Sequence, residues 1–331
     1  MAEALRRRGA LVTFAGSPDR VEARLVPERG YEFDAFAVSG LPRRPGLGLL
    51  RAAAQAAAAP VACIRILRKR QPDVVLGAGG YVAGPMVLAA RLRRIPCALT
   101  EADAHLGLAN RLAAPLADRV FLALPVGRDG EKYHAVGRPI PAASLARDRN
   151  ESRAQLGMPQ DARVVLVFGG SLGARLLNEL ALDAWAEAGP AVIHLCGERD
   201  YPELRDRVSR PDYLLRPFVE EIGLAYGAAD VVLARAGGSV WELAAAGLPA
   251  VLVPGEFATG NHQEKNARWF AQAGGAIVVP EAEASTAPRV VEELLADQVR
   301  LEAMAAAMRA AARPDAAEEI ADELVGLAAR R

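Results

Sequence analysis

Short runs of β-branched and apolar residues alternate along this chain with longer Ala-, Leu- and Arg-rich stretches, the pattern of parallel sheets covered on both faces by helices. In the first half, the runs Ala10–Phe14, Asp73–Gly77, Cys97–Thr100 and Val120–Leu122 predict strands. Helices are predicted over Ala2–Arg8, from the Ala-rich stretch at Arg51 through to Arg70, and over Gly84–Arg93, which the Gly79-Gly80 turn opens and Arg94-Ile95-Pro96 ends. The alternation restarts at Arg163–Phe168 and continues through Ala191–Cys196, Tyr213–Arg216, Val231–Ala234, Ala250–Val253 and Ala276–Val279. Two such series predict an α/β protein of two Rossmann-like domains. The boundary is expected between Gly137 and Asn150, where prolines and charges interrupt any periodicity. That gives an N-terminal domain over residues 1–143, a C-terminal domain over 144–314, and an amphipathic helix in 315–331 able to pack back across the boundary. A Rossmann unit opens on its central strand and a glycine turn, whereas this chain opens on a helix, so the N-terminal domain is expected to lack that strand.

Length and charge sharpen the picture. A chain of 331 residues, 52% hydrophobic, can build two cores of ordinary size. Its net charge is zero, but residues 1–146 hold 21 Lys and Arg against 12 Asp and Glu, leaving 19 against 28 in the rest. The two parts therefore carry +9 and −9, which points the N-terminal half at something anionic, a phosphate-bearing ligand or a lipid surface. Within it, residues 41–51 interleave arginines with leucines, and Arg65, Arg68, Lys69 and Arg70 follow, a combination suited to an anionic membrane face. No run reaches the roughly 18 apolar residues of a spanning helix. The cysteines Cys63, Cys97 and Cys196 are far apart in apolar runs and predict buried free thiols. No Cys/His cluster or Asp-x-Asp pair suggests a metal, and no cofactor or nucleic-acid partner is expected.

The candidate chemistry lies where strands end. Ala234-Arg-Ala-Gly-Gly-Ser-Val-Trp-Glu242 is a strand, a glycine turn, a helix start and a carboxylate one turn in. Such a turn offers backbone N–H groups to a diphosphate, and the carboxylate offers paired acceptors to ribose hydroxyls; a capping-box role for Glu242 is the alternative. Phe168-Gly-Gly-Ser-Leu-Gly-Ala-Arg175 repeats the arrangement, with Ser171 as hydroxyl donor or helix cap. After the next strand, Gln263 and Asn266 suit sugar hydroxyls. In the first half, Glu101 and Asp103 are carboxylates at a strand end, where a general base or a hydroxyl-binding group would sit, with loop capping as the alternative. No strand-Gly-x-Gly-x-x-Gly-helix unit with a later acidic residue is present, which disfavours a nicotinamide dehydrogenase.

Together these blocks resemble the MurG family of peptidoglycan glycosyltransferases. The resemblance is carried almost end to end, by residues 2–16, 22–27 and 38–41, then Gly79-Gly-Tyr-Val-Ala-Gly-Pro85, Gly169-Gly-Ser-Leu-Gly-Ala174 and His262-Gln263. It implies a GT-B architecture of two Rossmann-like domains facing a cleft, and an inverting transfer of N-acetylglucosamine. The implied donor is UDP-N-acetylglucosamine, held mainly by the C-terminal domain. The implied acceptor is undecaprenyl-linked muramyl-pentapeptide, met at the cytoplasmic face of the bacterial cell membrane by a peripheral N-terminal domain. Position by position, it implies Ser171 on the diphosphate, Val219 on uracil through its backbone, Gly238 and Ser239 on phosphates, Glu242 on ribose and Gln263 on the sugar, without a metal. The chain departs from the family at Thr100-Glu-Ala-Asp103, at Gly137-Arg-Pro-Ile-Pro141, in a turn before Glu242 that is one residue shorter, and in lacking the family's first strand and Gly-x-Gly-Gly-His loop. The catalytic base is therefore unassigned, with Asp103 and Glu101 as weak candidates. A binding protein without turnover and a transferase for another lipid acceptor are the alternative readings.

Overall fold

The computed structural model describes residues 1–331 except 39–46, 128–129, 171–172, 257–260 and 331, and gives backbone alone at 47–54, 56 and 57. Ser171 and the basic stretch 41–46 thus lie outside the described residues. The chain divides into two compact units, Met1–Pro139 with Asp315–Arg331, and Ile140–Pro314.

The first unit runs α1 (Ala2–Arg7), β1 (Thr13–Gly16), α2 (Glu22–Glu28), β2 (Glu32–Ala35), α3 (Leu47–Arg70), β3 (Val75–Gly77), α4 (Gly80–Leu92), β4 (Cys97–Glu101), α5 (Leu108–Ala113), β5 (Arg119–Leu122) and β6 (Tyr133–Ala135). Its strands are all parallel and form two sheets, β1-β2 and β3-β4-β5-β6, with no ladder joining them among the described residues. Because side chains alternate along a strand, Leu99 and Val120 face one way, towards Cys63, Leu67, Val87 and Ala90 of α3 and α4, while Ala98 and Phe121 face the other. That second face is covered by Ile320, Leu324 and Leu327 of the C-terminal helix Ala316–Ala328. Arg8, just after α1, ties the helix down through Glu318 (2.6 Å) and Asp322 (2.7 Å).

Strand β2 is not predicted by its sequence, because Glu32 and Asp34 break the apolar run. It forms because the end of α3 supplies their counter-ions: Lys69 and Arg70 reach Asp34 at 2.8 and 2.5 Å, and Arg70 also pairs with Glu32. The Arg70 guanidinium holds the Asp34 carboxyl below the usual carboxylate range. Helix α4 also starts earlier than expected, at Gly80, since Gly79 takes a left-handed φ of 88° that turns the chain directly out of β3.

The second unit runs α6 (Arg149–Leu156), β7 (Val164–Phe168), α7 (Arg175–Trp185), β8 (Ala191–Leu195), α8 (Tyr201–Leu204), β9 (Tyr213–Arg216), α9 (Ile222–Ala228), β10 (Val231–Ala234), α10 (Val240–Ala246), β11 (Ala250–Leu252), α11 (His262–Gln272), β12 (Ala276–Val278), α12 (Ala287–Ala296) and α13 (Gln298–Ala311). Its six strands form one parallel sheet in the order β12-β11-β10-β7-β8-β9. Every residue of β7, β8 and β10 is buried, as expected where helices cover both faces. Leu177 and Trp185 of α7 pack on Val165, Val167 and Val192 in this core.

All three cysteines are free and buried, and burial pushes the Cys63 thiol up to about 12 and those of Cys97 and Cys196 to about 11. Among the described residues no helix is long and apolar enough to cross a membrane, and no cluster of His, Cys, Asp and Glu could hold a metal.

Candidate functional site

The strand order of the second unit fixes where a ligand can enter. From β7 the chain proceeds outward to β8 and β9, and β10 then opens the opposite side, so β7 and β10 lie side by side with their following loops leading apart. Such a reversal leaves a crevice at the carboxyl ends of the two strands. Phe168 and Ala234 pair in register as their last residues, so the loops Gly169–Ala174 and Arg235–Ser239 leave from the same level.

The first loop is shaped by close approach. A Cβ on Gly169 would sit 2.3 Å from that of Ala174, and one on Gly173 would sit 2.1 Å from the Cys196 carbonyl oxygen, where φ is also +73°. Helix α7 begins at once, and its N-cap Ala174 supplies no side-chain hydrogen bond, leaving first-turn N–H groups to an anion. Behind the loop, Asn178 donates from Nδ2 to the Cys196 carbonyl (3.0 Å) and to Asp200 (2.9 Å). Its Oδ1 must therefore accept from His194 Nε2 (3.0 Å), which leaves Nδ1 to accept from the Tyr213 hydroxyl (2.9 Å).

Burial lowers the pKa of His194 from 6.5 to about 3, so this network is built on a neutral ring. An unfolded chain takes up a proton below pH 6.5 that native His194 refuses. The stabilisation is complete above 6.5 and is lost as pH falls toward 3, at about 1.4 kcal/mol per unit, or roughly 2 kcal/mol between pH 6.5 and 5. Urea unfolding at those two pH values should show this loss, and His194→Asn should remove most of it; an equal loss in the variant would refute the assignment.

The second loop carries Gly237, Gly238 and Ser239 into α10, whose N-cap Ser239 makes no side-chain cap bond. Three neighbours hold it. Asn266 of α11 is buried and donates to the Ala236 carbonyl (3.2 Å), while Arg235 donates to the Val253 carbonyl (3.0 Å) and to Glu281 (2.8 Å). Glu242, one turn into α10, accepts from the Tyr226 hydroxyl at 2.7 Å, a contact no local spacing suggests. Gln263 lies at the start of α11, and its Oε1 accepts from the Gly255 N–H (2.8 Å), so its amide nitrogen is the end it can offer to a hydroxyl. A cavity of about 320 Å³ opens here beside Gly255, Glu256, Asn261 and Glu264. Val219 is half-buried just past the end of β9, and its neighbour Phe218 is an exposed aromatic that sequence reasoning left aside. The structure thus places Gly238, Ser239 and Glu242 on one loop-helix junction, with Val219 on the loop after β9 and Gln263 in the first turn of α11.

Glu101 and Asp103 belong to the first unit, Glu101 as the last residue of β4 and Asp103 on the loop that follows. Glu101 is buried, and its carboxylate accepts from Asp103 N (3.2 Å), Gly107 N (2.9 Å) and Asn110 Nδ2 (2.9 Å). It braces its own loop, while the Asp103 side chain is half-buried on that loop.

Comparison with known proteins identifies the family. Residues 1–122 match the glycosyltransferase family 28 N-terminal domain and residues 164–320 the glycosyltransferase family 28 C-terminal domain. A Halothermothrix orenii protein named UDP-N-acetylglucosamine--N-acetylmuramyl-(pentapeptide) pyrophosphoryl-undecaprenol N-acetylglucosamine transferase is 36% identical over 335 residues, covering 95% of this chain and 90% of its own length. The protein of the same name from Salinibacter ruber is 40% identical over 342 residues, covering 100% and 92%. The crystal structure of Acinetobacter baumannii MurG superposes with a TM-score of 0.79 at 29% identity, over 98% of this chain and 94% of that one. The chain belongs to glycosyltransferase family 28, within its MurG group, and has the GT-B fold of two Rossmann-like domains.

Proposed function

We propose that the chain is an inverting glycosyltransferase of peptidoglycan synthesis, moving N-acetylglucosamine from UDP-N-acetylglucosamine to undecaprenyl-pyrophosphoryl-N-acetylmuramyl-pentapeptide. The observation that carries this reading is the convergence of two glycine turns and Glu242 on the carboxyl ends of β7 and β10. In it, the α7 amides with Ser171, and the turn at Gly238 and Ser239, receive the diphosphate. Glu242 receives the ribose, the Val219 backbone the uracil and the Gln263 amide the sugar. The acceptor 4-hydroxyl attacks the anomeric carbon, the bond from that carbon to the diphosphate breaks, and the N–H groups at the start of α7 stabilise the charge on departing UDP. The proton goes to a base we leave unassigned, because three donors already occupy the Glu101 carboxylate.

The transfer of radiolabelled N-acetylglucosamine to a soluble analogue of the muramyl-pentapeptide lipid tests the reading. Labelled disaccharide lipid is the expected product. Transfer to diacylglycerol instead would replace the acceptor, and UDP binding without any transfer would favour a protein that has lost turnover.

In this reading the chemistry takes place at the cytoplasmic face of the cell membrane, in which the acceptor's lipid tail is anchored. Support comes from the first unit, where α4 and α5 pack together and expose Leu88 and Leu92, and Leu108 and Leu112, as i,i+4 pairs among the exposed Arg91, Arg93, Arg94 and Arg111. Leucines beside arginines suit an anionic lipid interface. Flotation with phosphatidylglycerol vesicles should carry the protein up, and Leu92→Glu with Leu112→Glu should abolish this; unchanged flotation would remove these helices from the membrane face.

A further inference from the structure

We propose that Tyr226 is a positioning residue for the donor's ribose: its hydroxyl holds one oxygen of Glu242, so that the carboxylate meets the ribose hydroxyls in a single orientation. The inference rests on the ribose reading of Glu242 and adds to it the group that makes the glutamate specific. A glutamate side chain at a helix start has several rotamers, and a carboxylate that wanders among them loses orientational entropy when a ligand fixes it. Here the rotamer is selected beforehand. Tyr226 is 2% exposed on α9, its ring lies 6.3 Å from that of Phe168, and its hydroxyl is 2.7 Å from Glu242 Oε2.

The direction of the bond is also fixed. Burial, and then the charge and hydrogen bond of Glu242, raise the phenol's pKa, so Tyr226 stays protonated and donates. Glu242 keeps its remaining lone pairs for ligand hydroxyls. Phe168 is the last residue of β7, so the ring contact links the carboxyl end of that strand to the carboxylate on α10.

Calorimetry with UDP and with 2′,3′-dideoxy-UDP, on wild type, Tyr226→Phe and Glu242→Ala, tests both levels. Wild type should prefer UDP over the dideoxy ligand, and Glu242→Ala should lose that preference. Tyr226→Phe keeps the ring and its packing, so it should bind UDP about ten-fold more weakly while binding the dideoxy ligand as wild type does. If Glu242→Ala weakens UDP and Tyr226→Phe does not, the tyrosine proposal falls and the ribose reading stands. Equal weakening of both ligands by Tyr226→Phe assigns the residue to packing and also overturns the proposal. If Glu242→Ala binds both ligands like wild type, the ribose reading fails and the proposal fails with it.

Discussion

Replacing Gly173 by alanine is expected to weaken UDP binding by about 100-fold while leaving a folded protein. Two costs coincide at this residue. Its φ of +73° lies in the left-handed region, where an L side chain costs about 1–2 kcal/mol. The new Cβ would stand 2.1 Å from the Cys196 carbonyl oxygen, and that carbonyl is already held by the Asn178 amide. Since β8 cannot yield without breaking the Asn178–His194–Tyr213 network, the loop must yield, and in the proposed reading it is this loop that receives the diphosphate. A displacement near 1 Å in a pre-formed anion site is enough for losses of that order. Gly170 provides the control, with φ of +95° but nothing within 4 Å of its Cβ, so Gly170→Ala should bear strain alone and lose much less. Calorimetric titration of UDP into both variants checks the pair; wild-type affinity in Gly173→Ala would mean that this loop does not touch the nucleotide.

Much of the second unit was legible along the chain because its chemistry is local. β7 and β10 are continuous apolar runs, the first followed at once by Gly169 and the second by Gly237 after two residues, and a sequence that must be buried on both faces and then turn sharply can be written in few other ways. The placement of Glu242 was legible for the same reason, since its distance from Gly237 and Gly238 is set by one helical turn. What the sequence did not disclose are partners brought together by the sheet. Tyr226 precedes Glu242 by 16 residues and reaches it only because α9 and α10 flank the same strand. His194 sits inside an apolar strand, and only the neighbouring Asn178 and Tyr213 explain how its ring is satisfied. Glu101 illustrates the opposite: a carboxylate at a strand end has the placement of a base, and two loop N–H groups with the Asn110 side-chain amide of α5 turn that placement into bracing. Strand β2 was illegible because its charges are neutralised by residues 35 to 38 positions away at the end of α3.

The largest loss of stability is expected from Arg153→Ala, about 3–5 kcal/mol. Nothing in Arg149-Asn-Glu-Ser-Arg153 distinguishes this arginine from its neighbours, yet its side chain is fully buried. The guanidinium donates to the carbonyls of Ala228 (3.0 Å), Pro159 (3.1 Å), Gln160 (2.5 Å) and Ala162 (2.8 Å), and to Asp230 at 2.9 Å. Truncation strands these acceptors and leaves the Asp230 carboxylate without its buried cation. Arg149 pairs with the same Asp230 at 2.8 Å but is 43% exposed, so Arg149→Ala should cost under about 1 kcal/mol. The position of the cluster connects it to the ligand. Asp230 directly precedes β10, and its Oδ2 also accepts from the Val164 N–H that opens β7 (2.8 Å), so Arg153 clamps the amino ends of the two strands whose carboxyl ends form the crevice. Urea unfolding of the two variants separates a buried clamp from a surface pair by the fall in midpoint at constant slope. Since the clamp lies at the far end of both strands, the Arg153→Ala molecules that remain folded should bind UDP nearly as wild type does; a loss of affinity larger than the folded fraction accounts for would mean that the crevice is held open from its base.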